Sequence, residues 1–315
     1  MKRAFVFPGQ GSQSVGMGKE LAEAYPLAAQ VFEEVNDALG QNLSKLMFEG
    51  PIEDITLTEN TQPALMAVSV AVARVLEAEG GFKLSDVASY VGGHSLGEYS
   101  ALTAVGSLQL TDAARLLKIR GQAMQRAVPV GVGAMAALLG MNIGPAEEIA
   151  KQATEETDGV CVAANDNADG QVVLSGNKLA VERAIELAKE QGVRKAMLLP
   201  VSAPFHCPLM QPAADEMQAQ LADITIAPPT VPLVANVTAG EVSDPETIRK
   251  LLVEQVTGRV RWRESVLFLG EQEVESLFEV GTGKILSGMV RRINKAMTGS
   301  AIQSPADIDT FLKSL

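Results

Sequence analysis

Short apolar runs alternate along the chain with longer stretches whose apolar residues recur every three or four positions. That rhythm predicts an α/β protein. Residues 4–7 are apolar throughout and read as a first buried strand, ending at Pro8-Gly9-Gln10-Gly11-Ser12-Gln13. Helical spacing follows over 19–39 and 62–79. The second stretch has Pro63 near its first turn and Gly80-Gly81 past its end. Its middle, 64–75, is apolar almost all round, which predicts a buried helix. Residues 87–91 read as a strand that breaks at Gly92-Gly93, with helix-compatible sequence over 98–105. A further helix is expected over 111–128.

From Val128 the pattern changes. Pro129, Gly131 and Gly133 mark a break. A strand over 134–139, a helix over 145–157, strands over 160–164 and 171–175, a helix over 178–191 and a strand over 195–199 follow. That is β-α-β-β-α-β, the ferredoxin-like order. Residues 129–199 therefore read as a small ferredoxin-like subdomain inserted into a larger α/β domain made of 1–128 and 200–315. The cluster Asn165-Asp166-Asn167-Ala168-Asp169-Gly170 reads as a hairpin turn. It lacks the terminal Glu of an EF-hand loop. Beyond it come a helix over 212–224, a strand over 231–237, a helix over 245–256, a strand over 276–280, a helix from Gly281-Thr282-Gly283-Lys284 to Ile293, and a short helix over 308–312.

Three positions carry chemistry. Gly93-His94-Ser95-Leu96-Gly97 fits G-x-S-x-G between a strand and a helix, where a sharp turn exposes the serine hydroxyl. The amide of Leu96 then sits at a helix N-terminus, where an oxyanion would form. A serine nucleophile needs a base, and the chain has two histidines. His94 adjoins Ser95, and neighbouring side chains on a tight turn point apart. That leaves His206, bracketed by Pro204 and Pro208, unless it is a loop histidine with no role. No acid can be assigned to orient it; a backbone or amide carbonyl would serve. The third position is Arg120, which falls on the apolar stripe Ala113, Leu116, Leu117, Met124 and Ala127. A guanidinium facing a core is costly unless paired. Arg120 is either a structural arginine or a fork for a substrate carboxylate.

Composition narrows the class. The 315 residues are 47% hydrophobic and 4% aromatic, so the core is built mostly of Ala, Val, Leu and Met. A formal charge of -12 argues against a general nucleic-acid binder. No apolar stretch suffices to span a membrane, and the start of the chain has too short an apolar run for a signal peptide. Two cysteines, Cys161 and Cys207, suggest a reducing compartment. A soluble cytoplasmic protein is expected. Neither a dinucleotide fingerprint nor a P-loop is present.

Together, Phe7-Pro8-Gly9-Gln10-Gly11-Ser12-Gln13, Gly93-His94-Ser95-Leu96-Gly97-Glu98, Arg120-Gly121, Phe205-His206 and Glu279-Val280-Gly281 before Lys284 resemble the malonyl-CoA:acyl carrier protein transacylases, acyltransferases of type II fatty acid synthesis. The resemblance covers essentially the whole chain. It implies a hydrolase-like large domain with a parallel central sheet and an inserted ferredoxin-like subdomain. It also implies ping-pong transfer of malonyl from malonyl-CoA to the phosphopantetheine thiol of acyl carrier protein, with no cofactor or metal. Ser95 would be the nucleophile and His206 its base. The amides of Gln10 and Leu96 would form the oxyanion hole, and Arg120 would clamp the malonyl carboxylate. Gln255 matches the position that supplies a carbonyl to the histidine, and Phe205 resembles the malonyl-selective pattern of related polyketide acyltransferases. Because acyl carrier proteins are acidic, docking needs a local basic patch. Arg291-Arg292-Lys295 and Arg259-Arg261-Arg263 are the candidates, the second being equally readable as solvated surface charge. A monomer is expected.

Overall fold

The computed structural model describes residues 2–201 and 203–315. Among them, ten strands form two sheets: β1 (Lys2–Phe7), β2 (Tyr90–Gly93), β3 (Gly133–Leu139), β4 (Cys161–Ala168), β5 (Gln171–Asn177), β6 (Lys195–Leu198), β7 (Leu233–Val234), β8 (Glu241–Val242), β9 (Val274–Val280) and β10 (Thr298–Ile302). The larger sheet has the order β10-β9-β1-β2-β7-β8, parallel except for the β7–β8 pair. Ala4, Phe5, Val6 and Phe7 are all buried, as befits a central parallel strand covered on both faces. The helix Thr58–Gly80 is apolar nearly all round because it lies between that sheet and the helices Pro26–Leu39 and Leu110–Ala127. Gly121 permits the closest of these approaches: a Cβ there would meet Glu59 Cα at 2.5 Å.

The smaller sheet has the order β4-β5-β3-β6 and is antiparallel throughout. This is the ferredoxin-like arrangement, with the two middle strands contributed by the first and third in sequence. Ala136 and Leu138 pack on one face, with Ile149 and Ala153 of the helix Ile143–Thr157 and Val181 and Ile185 of the helix Lys178–Glu190. Met135 and Ala137, on the opposite face, look into a cleft. The strands before and after this block, β2 and β7, pair with each other in the large sheet. On that pairing we propose residues 129–199 as the inserted unit.

Several local readings differ from what forms. Pro26 divides the expected 19–39 helix into Lys19–Ala24 and Pro26–Leu39, since proline starts helices more readily than it continues them. The helix expected from 62 starts at Thr58, leaving Pro63 inside it. The expected 87–91 strand is instead the end of a helical turn, Leu84–Val87, followed by β2. Gly92 and Gly93 are part of β2 and pair with Val6 and Phe7, so the chain turns at His94-Ser95. β4 runs through Asn165, Asp166 and Asn167, and the hairpin turn is confined to Asp169-Gly170. Of the strand expected over 231–237, only Leu233–Val234 forms. The helix Trp262–Glu271 and strand β10 carry no expectation above. No helix among the described residues is long and apolar enough to cross a membrane.

Candidate active site

The cleft, about 530 Å³, lies between the two sheets. Its floor is made where β1, β2 and β9 end, supplying Gln10, Ser95 and Ile285. Carboxyl ends of parallel strands on either side of a first strand are where α/β folds place ligands. Its roof is the free face of the small sheet, including Met135, Asn165, Asn167 and Val173.

Ser95 follows β2 at once and has φ 54°, a left-handed conformation strained for a serine. The turn is possible because Gly93 and Gly97 carry no Cβ; one on Gly93 would strike the Gly97 carbonyl, and one on Gly97 the Phe7 carbonyl. Ser95 Oγ is 2.8 Å from His206 Nε2. His206 Nδ1 faces the main-chain oxygens of Gln255 at 2.9 Å and Gly258 at 3.1 Å. Both are acceptors only, so Nδ1 carries the proton and Nε2 is left to accept from Ser95. The imidazole is buried, and burial followed by the nearby charge of Arg120 pushes its pKa down to about 3. His206 is therefore neutral at physiological pH. Among the described residues, main-chain carbonyls, and no carboxylate, face Nδ1 of the histidine.

Arg120 is 1% exposed. Its Nη1 donates to Gln62 Oε1 at 2.8 Å, and its Nη2 to Gln255 Oε1 at 2.8 Å and Ser95 Oγ at 3.2 Å. The cation lies 5.7 Å from the centre of the Tyr99 ring. Every hydrogen-bond acceptor named is neutral, and Nε has no partner among the described residues. The other residues of the predicted stripe are buried too, apart from Ala127, which is partly exposed. Gln10, Leu96 and Phe205 all line the cleft. Among the described residues, no group accepts from the main-chain N–H of Gln10 or Leu96. His94 turns away from Ser95, and its Nε2 donates to Asn167 Oδ1 at 2.9 Å.

The two basic clusters part company. Arg259 pairs with Glu147, Arg261 with Glu264, and Arg263 with the buried Asp166 at 2.9 Å. Arg291, Arg292 and Lys295 are exposed, though Arg292 also donates to Gln171 Oε1 and the Asp169 carbonyl, both at 2.8 Å. Sequence reasoning gave no role to Gln62, Glu98, Asn167 or Asn236. Glu98 had a signal: a carboxylate inside the helix Gly97–Ala104, whose residues are otherwise apolar or small and uncharged. No group of three or more His, Cys, Asp or Glu side chains suited to a metal occurs among the described residues.

A family model described as an acyl transferase domain matches residues 4–297. The malonyl CoA-acyl carrier protein transacylase of Salmonella typhimurium is 46% identical over 310 residues, covering 98% of each chain. That of Bacillus subtilis is 43% identical over 315 residues, covering 100% of this chain and 97% of its own. The acyl-carrier-protein-S-malonyltransferase structure from Bartonella henselae has a TM-score of 0.97 at 53% identity, covering 100% of this chain and 99% of the other. A malonyl-transacylase solved in complex with its type II PKS acyl-carrier protein has a TM-score of 0.96 at 41% identity, covering both chains fully. With the likeness running from end to end in both sequence and fold, the chain belongs to the malonyl CoA-acyl carrier protein transacylases, a family of acyltransferases.

Proposed function

We propose that this protein moves a malonyl group from malonyl-CoA to the phosphopantetheine thiol of acyl carrier protein by a ping-pong route through a malonyl ester on Ser95. The observation that carries the reading is Arg120. It is a buried guanidinium within 3.2 Å of the nucleophile, bonded only to neutral groups. A free carboxylate on the acyl group supplies an anion bonded directly to the guanidinium, through two parallel charge-assisted bonds. The relatives named above support the same substrates.

In the first half-reaction His206 Nε2 takes the Ser95 proton as Oγ attacks the thioester carbon. The carbonyl oxygen, now negative, rests on the amides of Leu96 and Gln10, each contributing about 3 kcal/mol. Collapse expels the CoA thiolate, which takes the proton from His206. In the second half-reaction the pantetheine thiol gives its proton to His206 and attacks the ester, regenerating Ser95. The charge of Arg120 depresses the basicity of His206 in the free protein. Pairing Arg120 with malonyl removes much of that effect, so the substrate's carboxylate strengthens the base that activates the nucleophile. Phe205 narrows the cleft against a branched acyl group, and Arg291 with Arg292 receives the acidic carrier. In this reading the protein is a cytoplasmic monomer that needs no metal or cofactor.

The test is intact mass after brief exposure to malonyl-CoA without carrier protein, quenched in acid. One malonyl group retained on Ser95, with little retained from acetyl-CoA, is expected. Release of CoA with no retained ester would make the protein a hydrolase and overturn the proposal.

A further inference from the structure

One buried charge has no part in that mechanism. Glu98 is 0% exposed on the first turn of the helix Gly97–Ala104, three residues past the nucleophile. Its Oε2 accepts from Gln255 Nε2 at 2.5 Å and from the main-chain N–H of Asn236 at 3.4 Å. The same two residues hold the Ser95 peptide from either side. Asn236 Oδ1 accepts from the Ser95 N–H at 2.7 Å, and Gln255 Nε2 donates to the Ser95 carbonyl at 3.0 Å. The strained backbone at Ser95 is thus clamped by two amide side chains whose residues meet on one carboxylate oxygen.

Glu98 also decides which way the Gln255 amide faces. With Glu98 and the Ser95 carbonyl as acceptors on one side, the NH2 group must point to them and Oε1 must point to Arg120. Turned over, the NH2 would oppose the guanidinium N–H. Across that amide, Glu98 is the carboxylate whose charge acts on Arg120.

We propose that Glu98 is a positioning residue for acyl recognition: through Gln255 it sets Arg120 opposite Ser95, and it carries the counter-charge of Arg120 until a substrate carboxylate takes that place. This rests on the reading of Arg120 as the carboxylate clamp. Malonyl arriving at Arg120 leaves two anions around one cation in a water-poor site. A proton from solvent onto Glu98 relieves that. Its Oε1 has no partner among the described residues, and burial has already pushed its pKa up to about 7. The other titratable groups nearby stay fixed: the Tyr99 hydroxyl is pushed up to about 12 and stays protonated, and His206 is neutral. Loading malonyl therefore takes up a proton at Glu98, and loading acetyl does not.

The experiment is the malonyl-to-acetyl ratio of kcat/KM against pH, a ratio in which the CoA thiol cancels and His206, neutral across the range used, does not titrate. In the wild-type protein the ratio falls severalfold between about pH 6.5 and about pH 8.5. In Glu98→Gln, which keeps an acceptor for Gln255 but no charge, it is flat. Glu98→Ala, which also removes the acceptor, lowers kcat/KM for both substrates at least tenfold below Glu98→Gln. If the variants fold poorly, proton uptake by the wild-type protein on loading malonyl rather than acetyl, read with a pH indicator, decides the matter alone. A flat wild-type ratio, equal proton uptake, or the same pH profile in Glu98→Gln would overturn the inference. Arg120→Ala separates the two layers. Should it leave the ratio intact, the clamp falls and Glu98 with it. Should it collapse the ratio while Glu98→Gln leaves the pH profile untouched, only the Glu98 inference falls.

Discussion

Two arginine-bearing regions of this molecule have opposite electrostatic designs. Around 259–263, each guanidinium meets a carboxylate of the chain itself: Glu147, Asp166 and Glu264. Two of these pairs, Arg259–Glu147 and Arg263–Asp166, tie the start of the helix Trp262–Glu271 and the residues before it to the small sheet and its helices, whereas Arg261–Glu264 is local to that start. On the helix Leu110–Ala127, Arg120 is more deeply buried and has no such partner, only neutral amides and a hydroxyl. A cation satisfied by its own protein is part of the scaffold. In the function proposed above, a cation kept in register by neutral acceptors, 3.2 Å from Ser95 Oγ, is held ready for an anion from outside.

The largest expected effect breaks the second region. Arg120→Ala removes two charge-assisted bonds at roughly 1.5 kcal/mol each, so kcat/KM for malonyl-CoA drops about a hundredfold while acetyl-CoA changes far less. Initial rates of CoA release measure both; an unchanged preference in folded protein would make Arg120 scaffold, like its counterparts. Next, Arg263→Ala strands the buried Asp166 and destabilises the protein by about 2 kcal/mol, allowing for partial solvent access to the arginine. Its acyl preference stays at the wild-type value. Chemical denaturation gives the first quantity and paired kinetics the second.

A smaller effect near neutrality comes from pH, where two of the site's shifted groups, His206 and Glu98, oppose each other. His206 titrates at about 3 when folded against an ordinary 6.5, so the unfolded chain binds the extra proton between those values. Its contribution is lost as pH falls through that window. Glu98 titrates at about 7 against 4.5, so the folded protein binds the extra proton, and its contribution is lost as pH rises through that range. Between 4.5 and 6.5 the two slopes cancel. Below 4.5 Glu98 no longer contributes while His206 still does, alongside buried His94, whose pKa burial also pushes down, so His206→Gln makes the acid side of a denaturation-midpoint profile less steep than in wild type. The smallest effect is at the surface: Arg291→Glu raises KM for carrier protein severalfold, worth about 1 kcal/mol, and loses that effect at high salt. Arg292 is a poorer probe because it also anchors the β4–β5 turn.

How much of this could be read beforehand depended on the range of the interaction. The elbow was legible from its motif, in which Gly93 answers a steric demand within five residues, at Gly97; the demand on Gly97 itself comes from Phe7 in β1. Arg120 stood out because helical spacing alone puts it among Leu116, Leu117 and Met124. The hairpin turn read over 165–170 was too wide for the opposite reason: it closes at Asp169-Gly170, while Asn165, Asp166 and Asn167 stay in β4. These residues favour turns in isolation, but here Asp166 meets Arg263, Asn167 meets His94, and Asn165 bridges to Val260. Three long-range partners outweigh a propensity of a few tenths of a kcal/mol each. The helix Trp262–Glu271 was not anticipated, although its buried residues Trp262, Ser265, Val266 and Leu269 recur at helical spacing.

By itself, the chain's own pattern determined the alternation of strands and helices, the ferredoxin-like order of strands and helices after Val128, the serine at a sharp turn and the misfit arginine. Each is set by steric or solvation costs between residues within a few turns or pleats of one another. Only the tertiary structure decided which carbonyl faces His206, that Gln62 and Gln255 rather than a carboxylate hold Arg120, which basic cluster is already spent on internal pairs, and that Glu98 joins the supports of Ser95. Those choices depend on the directions of hydrogen bonds between segments up to 160 residues apart, as from Gln255 to Ser95. Such bonds are directional and short-ranged, so they exist only once the sheets and helices have packed.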